Sequence, residues 1–265
     1  MADAAAPIRS RSNPLFRRFR TLKDKGADEL CLIEGPRLLE EALASGIGLV
    51  EAAAAPHAEA SERGARLLAT LHARGTPVHR MADVLVAALS EAEASQGLLA
   101  LARRPTFHEA ALYRGTPLVV VAVGVQDPGN LGGLLRTAEA AGATGAYLTA
   151  GTADPFSWKA LRGSMGSAFR LPHVRGLAAE EAVRRLRGRG LLVLATAADA
   201  EVAYDRADLR RPFALLLGRE GAGLPDELVR AADQRLAIPM RGPVESLNVG
   251  VAAGILLFEA ARQRR

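Results

Sequence analysis

Apolar runs alternate with amphipathic stretches along most of this 265-residue chain. In the first half, ELCLIE (29–34), residues 49–54 and GLLALA (97–102) are short apolar runs that predict β-strands. The stretch that begins at Pro36 repeats leucine and alanine at helical spacing, and proline suits the first turn of a helix. Residues 28–104 therefore predict a small α/β domain of βαβαβ character.

The second half has longer and more continuous apolar runs. Such runs are typical of strands that are buried on both faces of a parallel sheet, and the segments between them have helical periodicity. The four clearest runs are PLVVVAV (117–123), LLVLATA (191–197), FALLLG (213–218) and RLAIP (235–239). We expect residues 116–265 to form a second and larger α/β domain, with residues 105–115 as the linker.

Residues 1–27 form a basic segment, predicted to be an arm or helix. Between Arg9 and Lys25 its only acidic residue is Asp24. A cluster of this kind either faces solvent or contacts phosphates. Phe16 and Phe19 lie among the basic residues and could pack the helix or stack on bases, which slightly favours a nucleic-acid role. The basic residues are Arg9, Arg11, Arg17, Arg18, Arg20, Lys23 and Lys25.

Composition bounds the class of protein. The chain is 49% hydrophobic and 24% charged, with a net charge of +5, as expected for a globular protein with a weak preference for polyanions. Its single cysteine, Cys31, lies in an apolar run and is expected to pack, and the five histidines have no ligand spacing. We expect no metal site, no membrane span and a cytoplasmic location.

Three glycine-rich loops each follow a predicted strand: residues 126–130, 218–223 and 239–248. Loops after parallel strands share one edge of the sheet, so the three should converge on one pocket. We expect Asn130 to be the N-cap of the helix that follows it, and Ser246 also has the residue type of an N-cap.

The sequence of these loops excludes several common nucleotide-binding and hydrolase motifs. GREGAGLP does not fit GxGxxG, because Asp226 occupies the third glycine position. No GxxxxGK[ST] phosphate loop occurs, and no GxSxG elbow precedes a helix. What remains is a pocket with amide, carboxylate, guanidinium and hydroxyl groups at the ends of strands.

Three segments, NLGGLLRTAEAAGA, LLLGREGAGLP and IPMRGPVESLNVGVAAGILLFEA, resemble the three motifs of the SpoU/TrmH family of RNA ribose 2′-O-methyltransferases, within the SPOUT superfamily. The first half, with SNPLFRRFRTLKDK, LIEGPRLLEEAL and SQGLLALA, is similar to an L30e-like substrate-binding domain. The resemblance implies a mostly parallel sheet flanked by helices, with a deep trefoil knot near the C-terminus, a rare exception to unknotted topology.

The resemblance also implies S-adenosylmethionine as the cofactor and methyl transfer to a ribose hydroxyl. The positions that match the family's catalytic residues are Asn130, Arg136, Glu220, Ser246 and Asn248. Those that match its cofactor-binding residues are Thr196, Gly218, Glu220, Gly221, Ile238, Met240, Ser246 and Leu247.

The implied partners are RNA and a second copy of the chain. Ribosomal RNA is the first expectation and transfer RNA the second, with homodimerisation through the final helix, whose apolar side is expected at Val249, Ala252, Ala253, Leu256 and Ala260. Trp158 is either a stacking or a packing residue. The candidate RNA-binding residues are Arg17, Arg18, Lys23, Arg37, Lys159, Arg162 and Ser164.

Two other functions stay open on the sequence. One is a non-catalytic RNA-binding protein that kept the fold, for which degraded motif residues would be the signature. The other is a methyltransferase that modifies a base or a protein. The SLN tripeptide (246–248), together with Arg136 and Glu220, favours ribose as the acceptor.

Overall fold

The structure, a computed structural model, describes residues 6–25, 29–92 and 94–265. The chain divides into two compact units. Unit 1 comprises Met1–Pro105 with Phe156–Leu161, and unit 2 comprises Thr106–Pro155 with Arg162–Arg265. None of the helices in the described part of the chain is long and apolar enough to span a bilayer.

Unit 1 is built on a four-stranded sheet with flanking helices. Its helices are α1 (Pro14–Lys25), α2 (Pro36–Ala44), α3 (Pro56–Ala60), α4 (Glu62–Ala73) and α5 (Asp83–Leu89). Its strands are β1 (Leu30–Glu34), β2 (Leu49–Ala54), β3 (Val78–Arg80) and β4 (Leu98–Arg103).

The sheet of unit 1 is mixed rather than parallel. Its strand order is β1-β4-β2-β3; β4 is antiparallel to both of its neighbours, and only β2 and β3 are parallel. The predicted alternation of strands and helices is present in this unit, and the antiparallel direction of β4 is what makes the sheet mixed. Helices α3 and α4 are separated at Ser61, whose hydroxyl accepts a hydrogen bond from the Gly64 amide and caps α4.

Helix α1 is packed into the core of unit 1. Phe16 and Phe19 are 1% and 0% exposed and contact a cluster that includes Leu32 and Leu101. The two rings are therefore core residues and cannot stack on bases in this conformation, which corrects the weight they lent to a nucleic-acid role. Their burial orders the basic helix and leaves Arg17 on its exposed side.

Unit 2 contains a seven-stranded sheet covered by helices. Its strands are β5 (Leu118–Ala122), β6 (Gly145–Leu148), β7 (His173–Arg175), β8 (Leu192–Thr196), β9 (Val202–Ala203), β10 (Phe213–Leu217) and β11 (Gln234–Ala237). Its helices are α6 (Pro128–Ala140), α7 (Trp158–Ser164), α8 (Ser167–Arg170), α9 (Ala179–Gly188), α10 (Asp226–Ala231) and α11 (Val249–Gln263). The first four residues of α7 belong to unit 1.

Every pairing in this sheet is parallel, in the order β7-β6-β5-β10-β8-β11-β9. All residues of β5 and β10 are buried, as their continuous apolar runs predict. Since parallel strands end at the same edge, the loops after β5, β8, β10 and β11 all begin there.

Part of the stretch predicted as a linker packs into unit 2. Residues 109–113 form a 3₁₀ helix, and Leu112 is fully buried in the core. The Tyr147 hydroxyl donates to Glu109 Oε1 at 2.6 Å, and Arg185 Nη1 donates to Glu109 Oε2 at 2.6 Å. Residues 106–115 are thus a docked segment, because their one leucine and one carboxylate find partners in this unit.

Helix α11 packs against α6 through small residues. A Cβ built on Gly254 would lie 3.6 Å from the Thr137 methyl group, and one on Gly250 would lie 4.0 Å from the Leu134 amide nitrogen. The α11 side expected to face a partner is mostly buried within the unit, including Ala253 at 0% exposure. The exposed apolar residues of α11 are instead Val251 and Phe258.

Candidate active site

Side chains from the three glycine-rich loops meet at the edge where the parallel strands end. Asn130 Nδ2 donates a hydrogen bond to Glu220 Oε1. Asn248 Nδ2 donates to the same oxygen at 3.1 Å and to Asn130 Oδ1 at 3.0 Å. The three residues form one closed set of hydrogen bonds, which we call the amide–carboxylate cluster.

Asn130 reaches the cluster because another residue caps its helix. Asp127 is the N-cap of α6, and its Oδ1 accepts from the Asn130 amide at 2.9 Å. The expectation that Asn130 is the cap is wrong, since Pro128 begins the helix two residues earlier. With its backbone bonded to Asp127, Asn130 can direct its side chain to Glu220 and Asn248.

Asn248 is both the N-cap of α11 and a member of the cluster. Its Oδ1 accepts from the amides of Gly250 at 2.9 Å and Val251 at 3.4 Å, while its Nδ2 faces Asn130 and Glu220. Ser246, which the residue type suggested as a cap, is exposed and does not cap this helix. Capping therefore fixes the orientation of the Asn248 amide.

Glu220 is held by a tight loop after β10. The Arg219 amide donates to the Gly223 carbonyl at 3.0 Å, and the Gly223 amide donates to the Arg219 carbonyl at 2.8 Å. A Cβ at Gly218 would lie 2.2 Å from the Gly223 carbonyl carbon, so a residue with a side chain does not fit there. Gly221 has a φ of 74°, which lets the loop turn directly after Glu220.

Arg136 lies on α6, six residues after Asn130, which places it about 9 Å further along the helix. It is exposed, and among the described residues it has no hydrogen-bond or ion-pair partner. A guanidinium without an internal partner is suited to bind an anion from outside. The structure therefore does not join Arg136 to the cluster, but it leaves its donors open on the same helix.

The predicted cofactor residues lie at the ends of three adjacent strands. Thr196 ends β8, Gly218 follows β10, and Ile238 follows β11, with β8 between the other two strands. The Thr196 hydroxyl donates to the Leu216 carbonyl at 3.2 Å. The segment 239–247, which contains Met240, has no backbone hydrogen bond to the described residues.

The predicted RNA contacts of unit 1 separate into exposed and engaged side chains. Arg17 and Arg37 are exposed. Arg18 Nη1 lies 2.6 Å from Glu51 Oε1, and Lys23 Nζ donates to the Ser90 carbonyl at 3.3 Å. Arg18 and Lys23 thus help to hold α1 against the rest of unit 1.

The segment after β6 gives a similar division. Lys159 and Arg162 are exposed, whereas Ser164 is 0% exposed and cannot contact RNA in this conformation. The Trp158 indole nitrogen donates to Glu34, and the ring is half-buried. Packing therefore accounts for Trp158. The predicted phosphate contact of Ser164 is corrected, because the residue is fully buried.

A pair that the sequence did not predict lies beside the amide–carboxylate cluster. Arg219 Nη2 donates to Gln126 Oε1 at 2.7 Å, and both residues line a cavity of about 370 Å³. The cavity is bounded by the loops after β5, β6 and β10. The glycine-rich loops signalled a pocket here, but residues 93 positions apart cannot be paired from their spacing.

Comparison with protein-family models gives two matches. Residues 117–258 match the SpoU rRNA Methylase family, and residues 13–100 match the MRM3-like substrate binding domain. The first match covers more than half of the chain and contains all three motif loops.

Relatives and solved structures agree with these matches. The chain is 35% identical to the 23S rRNA (guanosine(2553)-2′-O)-methyltransferase of Bacillus subtilis, over 92% of this chain and 93% of that one. It is 34% identical to an uncharacterized tRNA/rRNA methyltransferase of Synechocystis, covering 98% and 94% of the two chains. The crystal structure of the methyltransferase AviRb from Streptomyces viridochromogenes, in complex with AdoMet, has a TM-score of 0.85 and 30% identity, with 95% and 98% coverage. With three motif loops that close on one cluster, two matched domains and full-length relatives, this chain belongs to the SpoU rRNA methylase family.

Proposed function

We propose that this protein transfers the methyl group of S-adenosylmethionine to a ribose 2′-hydroxyl in ribosomal RNA. The observation that carries the proposal is the amide–carboxylate cluster, in which each of the three family motifs contributes one side chain. The Bacillus subtilis relative, named as a 23S rRNA 2′-O-methyltransferase, supports the acceptor and the class of RNA.

The segments near the cluster fit S-adenosylmethionine. The backbone groups of residues 239–247 have no hydrogen-bond partner among the described residues, so they can bind the polar edges of a nucleoside. Met240 is 36% exposed and offers apolar contact beside them. We assign the cofactor to Thr196, Gly218, Glu220, Gly221, Ile238, Met240, Ser246 and Leu247. When bound, it supplies an electrophilic methyl group.

The cluster can orient the acceptor hydroxyl. Glu220 accepts from both amide nitrogens through one oxygen, which leaves Oε2 available for the substrate. On transfer, the hydroxyl oxygen would bond to the methyl group as the methyl–sulfur bond of the cofactor breaks, and the Glu220 carboxylate would accept the hydroxyl proton. A 2′-hydroxyl is a weak nucleophile, so its alignment by Asn130 and Asn248 contributes much of the rate.

Arg136 binds the phosphate next to the reacting ribose in this proposal. A guanidinium stays protonated in proteins and is a poor proton acceptor, whereas its forked donors match a phosphate. Arg136→Lys keeps the charge and removes the fork, so we expect weaker RNA binding and lower turnover. Normal turnover with normal RNA affinity would contradict a bidentate role.

Unit 1 and the basic segment after β6 each contribute phosphate contacts in this proposal. The exposed cations Arg17, Arg37, Lys159 and Arg162 are suited to phosphates. The match of residues 13–100 to a substrate binding domain supports the role of unit 1. Phosphate contacts of this kind set orientation rather than sequence choice.

A homodimer, a knotted C-terminal segment and a cytoplasmic location complete the proposal. Val251 and Phe258, seven residues apart on α11, are 52% and 51% exposed. Residues at this spacing share one helix face, and an exposed apolar face on a helix favours a partner. The family resemblance supports a second copy of the chain as that partner and a trefoil knot formed by the segment around residues 239–263.

The function is tested by incubating the protein with ribosomal RNA and S-adenosylmethionine labelled in its methyl group. Nuclease digestion followed by mass spectrometry should find the label on a 2′-O-methylnucleoside. Label on a base would contradict the ribose assignment, and label only in transfer RNA would replace the substrate class. Cofactor binding without transfer to either RNA would favour the non-catalytic alternative.

A further inference from the structure

The cavity beside the amide–carboxylate cluster is separate from the segments assigned to the cofactor. It lies at the ends of β5, β6 and β10, whereas the cofactor residues lie at the ends of β8, β10 and β11. The two regions thus flank β10, and none of the cavity-lining residues belongs to the cofactor set. The assigned cofactor therefore does not explain this ligand-sized space.

Its size and lining suit a flat ring system. A volume of about 370 Å³ is within the range of small-molecule pockets. Much of the wall is backbone or methyl group, from Gly124, Ala150, Gly151, Ala222 and Gly223. Such a wall allows a planar heterocycle to approach the main chain closely.

The polar groups of the cavity favour a ring with hydrogen-bond acceptors. Arg219 uses one donor for Gln126 Oε1 and has no other partner among the described residues. Gln126 still offers its amide nitrogen. The Thr149 hydroxyl is already bonded to the backbone at Ala122 and Gly124. The cavity therefore presents donors without a carboxylate on its lining.

We propose that this cavity binds the guanine base of the nucleotide whose ribose is methylated, with Arg219 donating to guanine O6 and N7. Paired donors from arginine to O6 and N7 are the commonest way in which proteins identify guanine. Gln126 is the positioning residue, because its bond to Nη2 holds the plane of the guanidinium. The inference rests on the proposed function and adds base specificity to it.

The location fits this role. Arg219 is bonded directly to Glu220 in the chain, and consecutive Cα atoms are 3.8 Å apart. Gln126 lies four residues before Asn130 on the loop that leads into α6. A nucleotide with its base in the cavity would thus have its ribose beside the cluster. Nucleotide-modifying enzymes commonly take the target base out of its stack in this way.

Binding of mononucleotides tests the cavity without requiring catalysis. The protein saturated with S-adenosylmethionine is titrated with guanosine, adenosine, cytidine and uridine 5′-monophosphates and followed by saturation-transfer NMR. We expect a preference for the guanosine nucleotide, and at least about tenfold weaker binding in Arg219→Ala, on the scale of one lost bidentate contact. Arg230→Ala, an exposed arginine on α10, is the matched control and should bind normally.

A second variant fills the space itself. Ala150 is exposed and lines the cavity, so Ala150→Phe should block the base while the fold and cofactor affinity remain normal. Ala140→Phe makes the same change at an exposed position of α6 outside the cavity. Calorimetry measures cofactor affinity, and the melting temperature reports on the fold. Normal values of both in Ala150→Phe would show that the cavity is blocked and the protein is otherwise intact. Equal guanosine binding in Ala150→Phe and wild type would overturn the proposal.

Transfer assays distinguish this inference from the proposed function. If wild type methylates ribosomal RNA, the modified nucleotide should be a guanosine, and a transcript with adenosine there should react at least about tenfold more slowly. Arg219→Ala should lose most of that discrimination, because it removes the donors to guanine O6 and N7. Methylation of a non-guanosine nucleotide, or unchanged discrimination in Arg219→Ala, would overturn the base cavity and leave the methyltransferase assignment intact. Failure of wild type to methylate any RNA would instead contradict the function, and nucleotide binding alone would then decide the cavity.

Discussion

Asn248 Nδ2 donates a hydrogen bond to Asn130 Oδ1 at 3.0 Å, although the two residues are 118 positions apart. The contact joins the N-cap of α11 to the first turn of α6, and Glu220 accepts from both side chains. Packing of α11 on α6 therefore has a chemical consequence, since it sets the geometry of the cluster on which the proposed reaction depends.

Glu220→Gln tests the shared acceptor. The neutral amide keeps the volume but weakens two charge-assisted hydrogen bonds, and it removes the proposed proton acceptor. We expect methyl transfer to ribosomal RNA to fall on the order of 100-fold, the effect of a lost proton acceptor. Glu227→Gln, an exposed glutamate in the first turn of α10, is the control and should keep wild-type transfer. Equal rates for the two variants would remove Glu220 from the mechanism.

Two substitutions at Asn248 separate capping from chemistry. Asn248→Ala loses the cap and the cluster, so it should lower the free energy of unfolding by about 1 kcal/mol and reduce transfer. Asn248→Asp keeps a cap oxygen for the Gly250 amide but places a carboxylate oxygen beside Glu220. It should melt closer to wild type than the alanine variant and still lose transfer. Substantial transfer by Asn248→Asp would show that the donated hydrogen bonds are dispensable.

His173 predicts a pH dependence of stability. Burial of its ring lowers the pKa to about 4, while Nδ1 lies 3.0 Å from the Leu171 carbonyl oxygen. The unfolded chain binds a proton near pH 6.5 and the folded chain only near pH 4, so stability should fall as pH drops through this window. Through this one group, the free energy of unfolding should fall by at most about 1.4 kcal/mol per pH unit. Denaturant titrations at pH 7, 6 and 5 should show a shallower decline for His173→Gln than for wild type. Parallel curves would assign the decline to other groups.

The Glu109 network predicts a stability effect that is separate from activity. Burial opposes ionisation of Glu109, but hydrogen bonds from Tyr147 and Arg185 hold its pKa below the usual value. Tyr147→Phe removes a 2.6 Å hydrogen bond to this carboxylate and should lower the free energy of unfolding by about 1–3 kcal/mol. Transfer at a temperature well below the melting point should be unchanged, because the network contributes no group to the cluster. A selective loss of transfer would connect this segment to the site.

The exposed face of α11 predicts an oligomeric state. Phe258→Asp places a charge on the proposed dimer surface. In sedimentation velocity at micromolar concentration, the wild type should be a dimer and this variant a monomer. Val84→Asp is the control, because Val84 is 65% exposed and lies on α5 of unit 1. A wild-type monomer, or a Phe258→Asp dimer, would contradict dimerisation through α11.

Local patterns in the sequence were sufficient for four of the strands of unit 2, β5, β8, β10 and β11, and for the loops that contain the site. The apolar runs at residues 117–123 and 213–218 predict two buried strands, and both are entirely buried in the parallel sheet. Fold class and family also follow from the sequence, because apolar runs, helical periodicity and the family motifs can all be read from short stretches of the chain.

Features that depend on distant partners required the tertiary structure. Whether Phe16 stacks on a base or packs depends on the core that covers it. The direction of β4 between its neighbours, the docking of residues 106–115 and the Arg219–Gln126 pair are likewise long-range outcomes. Periodicity reports which face of an element is buried; only the folded chain decides what lies against that face and which donors remain for a ligand.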